Sequence, residues 1–311
     1  MKKDIIILTG PTAVGKSDLA VSLAKDIGGM IISADSMQVY KGMDIGTAKI
    51  TNEEMQGVPH FLINVLEPDE EFNVSSFVDM ANEALDKIYE CGAIPVIAGG
   101  TAFYIQALLK QVDFADDSGK DEALRKSLEE KSEDELFKDL SEVDPESAAA
   151  IHKNNKKRLV RALEYFTLTG EKISDHNRLW KEKASDFNFA YFVLTDERSV
   201  LYERINRRVD EMFDAGLVEE VKALKTKGFG PGLTSMQAIG YREVWDYLEG
   251  LIGLEEAREK VKLNTRHFAK RQLTWFRKEP DVIWLDYSVI GRDREKVLGI
   301  IKSESKNRGI I

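Results

Sequence analysis

Near the start of the chain an apolar run, a glycine-framed loop and an amphipathic helix stand back to back, and that order leaves few folds open. Ile5-Ile6-Ile7-Leu8 reads as a short buried strand. Gly10-Pro11-Thr12-Ala13-Val14-Gly15-Lys16-Ser17 follows as a complete phosphate-binding loop. Leu19, Ala20, Leu23, Ala24 and Ile27 then recur at helical spacing until Gly28-Gly29 ends the pattern. A strand handing over to a helix through such a loop predicts βαβ units around a parallel sheet.

The loop also states a chemistry. Its glycines let successive backbone N–H groups curl around an anion at a helix N-terminus, where Lys16 adds a point charge and the Ser17 hydroxyl can ligate Mg²⁺. A diphosphate or triphosphate is the expected ligand.

With 311 residues the chain exceeds one compact unit, so a main domain carrying a smaller one is expected. Lys2-Lys3 followed by Ile5 to Leu8 superficially resembles a signal peptide, but the apolar stretch is too short and runs straight into the phosphate loop. No other stretch approaches membrane-spanning length, and the single cysteine, Cys91, excludes a disulfide framework and a cysteine-based zinc site. Cys91 reads as a small apolar residue in a helix-to-strand connection, and the whole as a cytoplasmic protein.

Net charge is −10 at pH 7, which taken alone argues against a nucleic-acid partner. Its distribution says more. Acids predominate from Asp113 to Glu146, a stretch expected to face solvent, and two later segments reverse the sign. His152 to Arg161 holds Lys153, Lys156, Lys157, Arg158 and Arg161 without an acid, and Arg258 to Lys278 holds eight bases against Glu259. Two such stretches on an acidic chain suggest a polyanionic partner.

Strand and helix patterns alternate through Met30–Ala34, Phe61–Val65, a helix over Val74–Glu90 and a strand at Ala93–Ala98 that delivers Gly99-Gly100-Thr101. The carboxyl ends of these strands bring the phosphate loop, Asp35 and Thr101 to one edge, where ligands bind in open α/β sheets. Between about Phe114 and Asn188 the text turns helical and charged, and sheet character returns at Phe189. The fold class expected is α/β: a P-loop NTPase-like core over 1–113 and 189–311, with a parallel sheet and helices on both faces, plus an inserted all-helical subdomain over 114–188. Helices over Gln237–Leu248 and Leu254–Phe276 and a last strand at Val282–Leu285 complete it.

A nucleotide hydrolase needs an acid at a strand end to hold Mg²⁺ and a residue to position water. The Ile94 strand ends instead in Gly-Gly-Thr, and Asp35 reads as the one acid reached directly from a core strand. Asp35 fits Mg²⁺ binding in a kinase, and it fits equally a general base beside the phosphates. Spacing does not separate the two.

The wider pattern resembles the tRNA dimethylallyltransferase family. The matching residues are the phosphate loop, Ser33-Ala34-Asp35-Ser36-Met37-Gln38-Val39-Tyr40, Asp44-Ile45-Gly46-Thr47-Ala48-Lys49, Val58-Pro59-His60 and Gly99-Gly100-Thr101-Ala102-Phe103-Tyr104. The last departs from the family's more usual Gly-Gly-Thr-Gly-Leu-Tyr while keeping the threonine and tyrosine. Arg158-Leu159-Val160-Arg161-Ala162-Leu163-Glu164, Ala238-Ile239-Gly240-Tyr241-Arg242-Glu243 and Ala269 to Arg277 follow in order, so the resemblance spans nearly the whole chain.

That resemblance implies transfer of a dimethylallyl group from its diphosphate to N6 of the adenosine immediately 3′ of a tRNA anticodon, position 37. It implies Asp35, Thr101 and Lys16 as catalytic groups, with Gly10, Pro11, Thr12, Ala13, Val14, Gly15, Lys16, Ser17 and Arg208 around the diphosphate and Ser17 on Mg²⁺. Arg204, one turn before Arg208, is a second basic candidate. Asp35, Ser36, Met37, Gln38 and Thr101 are implied to meet the RNA. So are Lys157, Arg158, Arg161, Gly240, Tyr241, Arg242, Lys270, Arg271, Gln272, Trp275 and Arg277. The partners implied are the tRNA anticodon stem-loop and dimethylallyl diphosphate, with a monomeric enzyme and no membrane.

Overall fold

A computed structural model describes residues 2–111 and 121–311. The chain divides into two compact units, Met1–Leu109 with Asp186–Ile311, and Lys110–Ser185. The boundary expected at 113/114, and Asp113, Asp116 and Asp117 of the acidic stretch, lie outside the described residues.

The first unit is built on six parallel strands: β1 (Lys3–Thr9), β2 (Gly29–Ser33), β3 (His60–Phe61), β4 (Ile94–Gly99), β5 (Phe187–Thr195) and β6 (Val282–Asp286). Their order is β3-β2-β4-β1-β5-β6. Around them run α1 (Lys16–Ile27), α2 (Asn52–Met55), α3 (Val74–Glu90) and α4 (Ala102–Lys110). The second unit consists of α5 (Glu122–Glu130), α6 (Glu133–Val143), α7 (Pro145–Ala150), α8 (Lys156–Thr169) and α9 (Ile173–Glu182). The first unit resumes with α10 (Arg198–Asp214), α11 (Leu217–Thr226), α12 (Tyr241–Leu248), α13 (Leu254–Phe276), α14 (Tyr287–Ile290) and α15 (Arg294–Asn307).

Strand β1 explains why the sheet is covered on both sides. Ile6 and Leu8 join one cluster with Leu19 and Leu23 of α1 and Val297 and Ile301 of α15. Ile5 and Ile7 point the opposite way, because side chains alternate along a strand, and they are equally buried. Each such buried aliphatic side chain contributes about 1.5–3 kcal/mol.

Three elements differ from expectation for local reasons. The strand expected over Phe61–Val65 ends at Phe61, because Leu62 and Asn64 adopt left-handed backbone, with φ of 63° and 55°. The helix expected from Gln237 begins at Tyr241, since Gly240 takes φ 99° and a 3-10 turn over Ser235–Gln237 precedes it. Strand β5 begins at Phe187, two residues before the expected return of the sheet. Cys91 caps the end of α3 and is exposed.

The second unit has its own core of Leu128, Leu136, Leu140, Leu159 and Leu163. Glu129, Glu130, Glu133, Asp134 and Glu135 face solvent. Asp144 is the exception: it is buried, caps α7 at Ser147 N–H (3.1 Å) and accepts from both Ser174 N–H (3.0 Å) and Ser174 Oγ (2.7 Å).

Candidate active site

The phosphate loop leaves β1 at Gly10 and enters α1 through Gly15, whose φ of 95° is a left-handed cap that a side chain disfavours. Pro11 and Val14 are buried and hold the loop's underside, while Thr12, Ala13, Gly15, Lys16 and Ser17 line a cleft of about 120 Å³. Ser33, Asp35, Gln38, Gly99, Gly100, Arg208, Phe268 and Gln272 complete its wall. Lys16 Nζ donates to the Pro11 carbonyl at 2.8 Å. Desolvation first, and then the nearby Arg208 guanidinium, lower the Lys16 ammonium to about 7 against an opposing pull from Asp35. Burial likewise pushes Arg208 down. Two cations held with little solvent make a site that an anion relieves.

Asp35 follows β2 directly. Its Oδ1 accepts from Met37 N–H (2.8 Å) and Gln38 N–H (3.3 Å), a turn in which the side chain bonds the backbone ahead of it. Asp35 also lines the cleft. Gln38 donates its amide to the Thr47 and Ala48 carbonyls, both at 3.4 Å. Thr101 opens α4 and donates its N–H to the Ala34 carbonyl at 3.1 Å, so the ends of β2 and β4 are tied beside Asp35.

A second chamber of about 290 Å³ adjoins the cleft and shares Thr12, Asp35, Thr47, Arg208 and Phe268 with it. Its remaining wall is more apolar: Ile205, Val209 and Met212 from α10, Val261 from α13, Ile239, and Met37. Ser36, Thr101 and Arg271 also line it. Ile205 and Val209 are buried, and the face of α10 that carries them walls the chamber; a helix lining a pocket carries the pattern of one packed on protein.

Among oxygen, nitrogen and sulfur donors, the cleft presents the hard oxygens of Thr12, Ser17, Asp18, Ser33 and Asp35, with no imidazole or thiol in its lining. Among the described residues no three His, Cys, Asp or Glu side chains are grouped so as to hold a metal ion by themselves. A hydroxyl and a carboxylate beside an anion cradle fit Mg²⁺, which keeps most of its shell as water and phosphate oxygens.

Several predicted residues are placed otherwise than expected. Tyr241 is fully buried, its hydroxyl donating to Glu220 Oε1 at 2.6 Å, so it has no face for a base; the buried Gly240 spends its N–H on Glu243 Oε2 at 2.8 Å. Gln272 sits inside the basic stripe yet is 6% exposed and bonded within the site. Arg204 pairs with Asp196 at 3.3 Å and away from the cleft lining. Asp196 itself corrects the reading of Asp35 as the one acid at a strand end, since it directly follows β5, as Asp286 ends β6. Arg204 and Arg292 neutralise Asp196.

The exposed stripe of α13 is real. His267, Lys270, Arg271, Thr274, Trp275 and Lys278 line an open groove of about 460 Å³, and Arg277 is exposed nearby in sequence. Trp275 donates Nε1–H to Glu279 at 2.8 Å and meets Phe103 edge-on, leaving its ring 36% exposed. Arg242 is exposed and pairs with Glu243 at 2.9 Å. Lys157, Arg158 and Arg161 belong to α8 of the second unit, the first two exposed and Arg161 near Glu164 at 3.6 Å. Among the described residues no helix is long and apolar enough to cross a membrane.

The sequence profile of the IPP transferase family matches residues 38–279. The tRNA dimethylallyltransferase of Lachnoclostridium phytofermentans is 54% identical over 302 residues, covering 96% of each chain. That of Halalkalibacterium halodurans is 47% identical, covering 95% of each. The crystal structure of a full-length tRNA isopentenylpyrophosphate transferase from Bacillus halodurans superposes with TM-score 0.74 at 43% identity over 99% of this chain and 98% of that one. A eukaryotic dimethylallyltransferase, seen in crystallographic snapshots acting on tRNA, gives 0.85 at 30% identity over 98% of this chain and 80% of that one. With a phosphate loop, an acid beside it and full-length likeness to these proteins, the chain belongs to the tRNA dimethylallyltransferase family.

Proposed function

We propose that the protein transfers a dimethylallyl group from dimethylallyl diphosphate to N6 of the adenosine at position 37 of tRNA, immediately 3′ of the anticodon. The observation that carries this reading is the position of Asp35, shared by the polar cleft and the more apolar chamber. A diphosphate in the cleft and a hydrocarbon or base in the chamber meet beside that carboxylate.

The N6 amine is a weak nucleophile because its lone pair is delocalised into the ring. It forms a bond to C1 of the dimethylallyl group as the C1–O bond breaks, and the bonding electrons leave with the diphosphate. Asp35 accepts the N6 proton, a role worth about 10²- to 10⁴-fold in rate. Lys16, Arg208 and the backbone N–H groups of the phosphate loop stabilise the charge that grows on the leaving group. Ser17 would hold Mg²⁺, which when bound would neutralise part of the diphosphate charge. Thr12 and Thr101 orient the reacting groups.

The adenosine must leave its stack to reach this site, which costs less in an anticodon loop than in a duplex. Lys270, Arg271, Trp275 and Arg277 meet the RNA through the groove on α13, and Lys157, Arg158 and Arg161 through α8. Every residue of both cavities comes from the first unit, and we take the enzyme to act as a monomer. We take the cytoplasm as the place where it meets its tRNA acceptor. Incubation with tRNA and dimethylallyl diphosphate, followed by mass spectrometry of the anticodon-loop oligonucleotide, tests the reading: a prenyl mass is expected. ADP release from ATP with an unchanged oligonucleotide would instead mark a kinase.

A further inference from the structure

Gln272 has a place that the basic stripe around it does not explain. Arg271 before it is exposed, whereas Gln272 turns inward from α13. Its Oε1 accepts from Thr12 N–H at 2.9 Å and its Nε2 donates to the Gly100 carbonyl at 2.9 Å. Thr12 N–H can only donate and the Gly100 carbonyl only accept, so the amide has one permitted orientation.

Those two partners belong to the two loops that frame the cleft, one after β1 and one after β4. The packing agrees, because a Cβ on Gly100 would lie 2.3 Å from Gln272 Nε2. The next residue, Thr101, is tied to Ala34 and hence to the turn that carries Asp35. One side chain thus joins the phosphate loop to the loop of Thr101, and commits the Thr12 N–H to protein.

We infer that Gln272 is a positioning residue that sets the spacing of these loops and so the shape of the anion cradle. The inference rests on the reading that this cradle holds diphosphate. Gln272 acts through hydrogen bonds made in both directions at once, which neither a hydrocarbon nor a carboxylate reproduces.

The test is equilibrium binding of inorganic diphosphate to the wild-type protein and to Gln272→Met and Gln272→Glu, with kcat and KM for dimethylallyl diphosphate measured alongside. Gln272→Met keeps length and bulk but loses both bonds, and is expected to bind diphosphate about tenfold or more weakly. KM for the donor should rise by a larger factor than kcat falls, with tRNA affinity unchanged. Gln272→Glu as a carboxylate accepts from Thr12 but cannot donate to Gly100, whereas the neutral acid does both. Its deficit relative to wild type should therefore shrink between about pH 6 and about pH 4, the range in which a glutamate protonates. Comparison with wild type at each pH removes the titration of the diphosphate itself. A residue that merely fills space gives the Glu variant a deficit that does not change with pH.

Failure of the wild-type protein to bind inorganic diphosphate would overturn the reading of the cradle. If wild type binds and Gln272→Met binds equally well, the inference about Gln272 falls. It falls also if the Gln272→Glu deficit is constant with pH, a comparison made within one folded variant even should the Met variant fold poorly.

Discussion

The Tyr241 hydroxyl donates to a Glu220 carboxylate at 2.6 Å, and that carboxylate also accepts the backbone N–H groups of Asp44, Ile45 and Gly46 at 2.9, 2.8 and 3.1 Å. This pair fastens the loop whose next residues, Thr47 and Ala48, line both cavities. The ring also excludes any side chain at position 46, since a Cβ there would lie 2.4 Å from Tyr241. Tyr241→Phe should cost about 1–3 kcal/mol of stability, by removing one bond to a charged acceptor. RNA affinity should not move. Thermal unfolding and RNA titration check both halves, and a selective loss of RNA affinity would return Tyr241 to the RNA surface.

Asp35→Asn should retain tRNA affinity and lose about 10²- to 10⁴-fold in turnover, because it removes a proton acceptor while keeping the hydrogen bonds to Met37 and Gln38. Single-turnover rates at saturating tRNA measure this. Wild-type turnover in the variant would take the base assignment away from Asp35.

Lys16 gives the site a pH signature. Its pKa is lowered from 10.5 to about 7, so between these values the unfolded chain binds a proton that the folded one lacks. Stability from this group is at its lowest below about pH 7 and rises with pH across that window. A bound diphosphate reverses the cause, pulling the ammonium back to its charged form. Binding of inorganic diphosphate near pH 8 should therefore take up a proton, seen as a heat that depends on buffer ionisation enthalpy, and Lys16→Met should abolish it. Near pH 6, where Lys16 is already charged, the uptake should fade; equal heats in both buffers at the higher pH would contradict the assignment.

Arg204 and Arg208 stand one turn apart and should fail differently. Arg208 lines both cavities, and Arg208→Ala should lower turnover by about 10²- to 10³-fold with little loss of stability. Arg204→Ala removes one of two cations from the buried Asp196, leaving Arg292, and should cost about 1–3 kcal/mol while diphosphate affinity holds. Chemical denaturation and ligand titration of the two variants would expose a swapped assignment.

Lys270→Ala with Arg271→Ala should weaken tRNA binding and flatten its dependence on salt by about 1–2 in log–log slope, since each phosphate contact releases counterions. Filter binding across a salt series measures the slope. An unchanged slope would make the groove on α13 an ordinary solvated face.

Much of this was legible in the residues, and the failures share a cause. The phosphate loop, Asp35 and Thr101 are read correctly onto one sheet edge because each follows a strand whose apolar run is unmistakable. The shortening of β3 is invisible to hydropathy, because Leu62 and Asn64 keep a strand-like composition while adopting left-handed backbone. The chamber beside Ile205, Val209 and Met212 is not legible either, because helix periodicity reports which face is covered, and not whether protein or a cavity covers it. Gln272 is hidden by its neighbours: a polar residue within a basic stripe gives no sign of having turned inward. Asp196 goes unseen for the opposite reason, since the arginines that neutralise it are 8 and 96 positions away.

The Gly99-Gly100 pair is no hinge. A Cβ at position 99 would lie 2.2 Å from the Ala34 carbonyl oxygen, as one at position 100 would strike Gln272. The first is an absence of bulk that lets the backbones after β2 and β4 touch, where no side chain can move aside; the second makes room for the Gln272 amide. A side chain at position 99 would have to respace the ends of β2 and β4, whereas one at position 100 would push Gln272 out and so undo the joint between the two loops of the cleft.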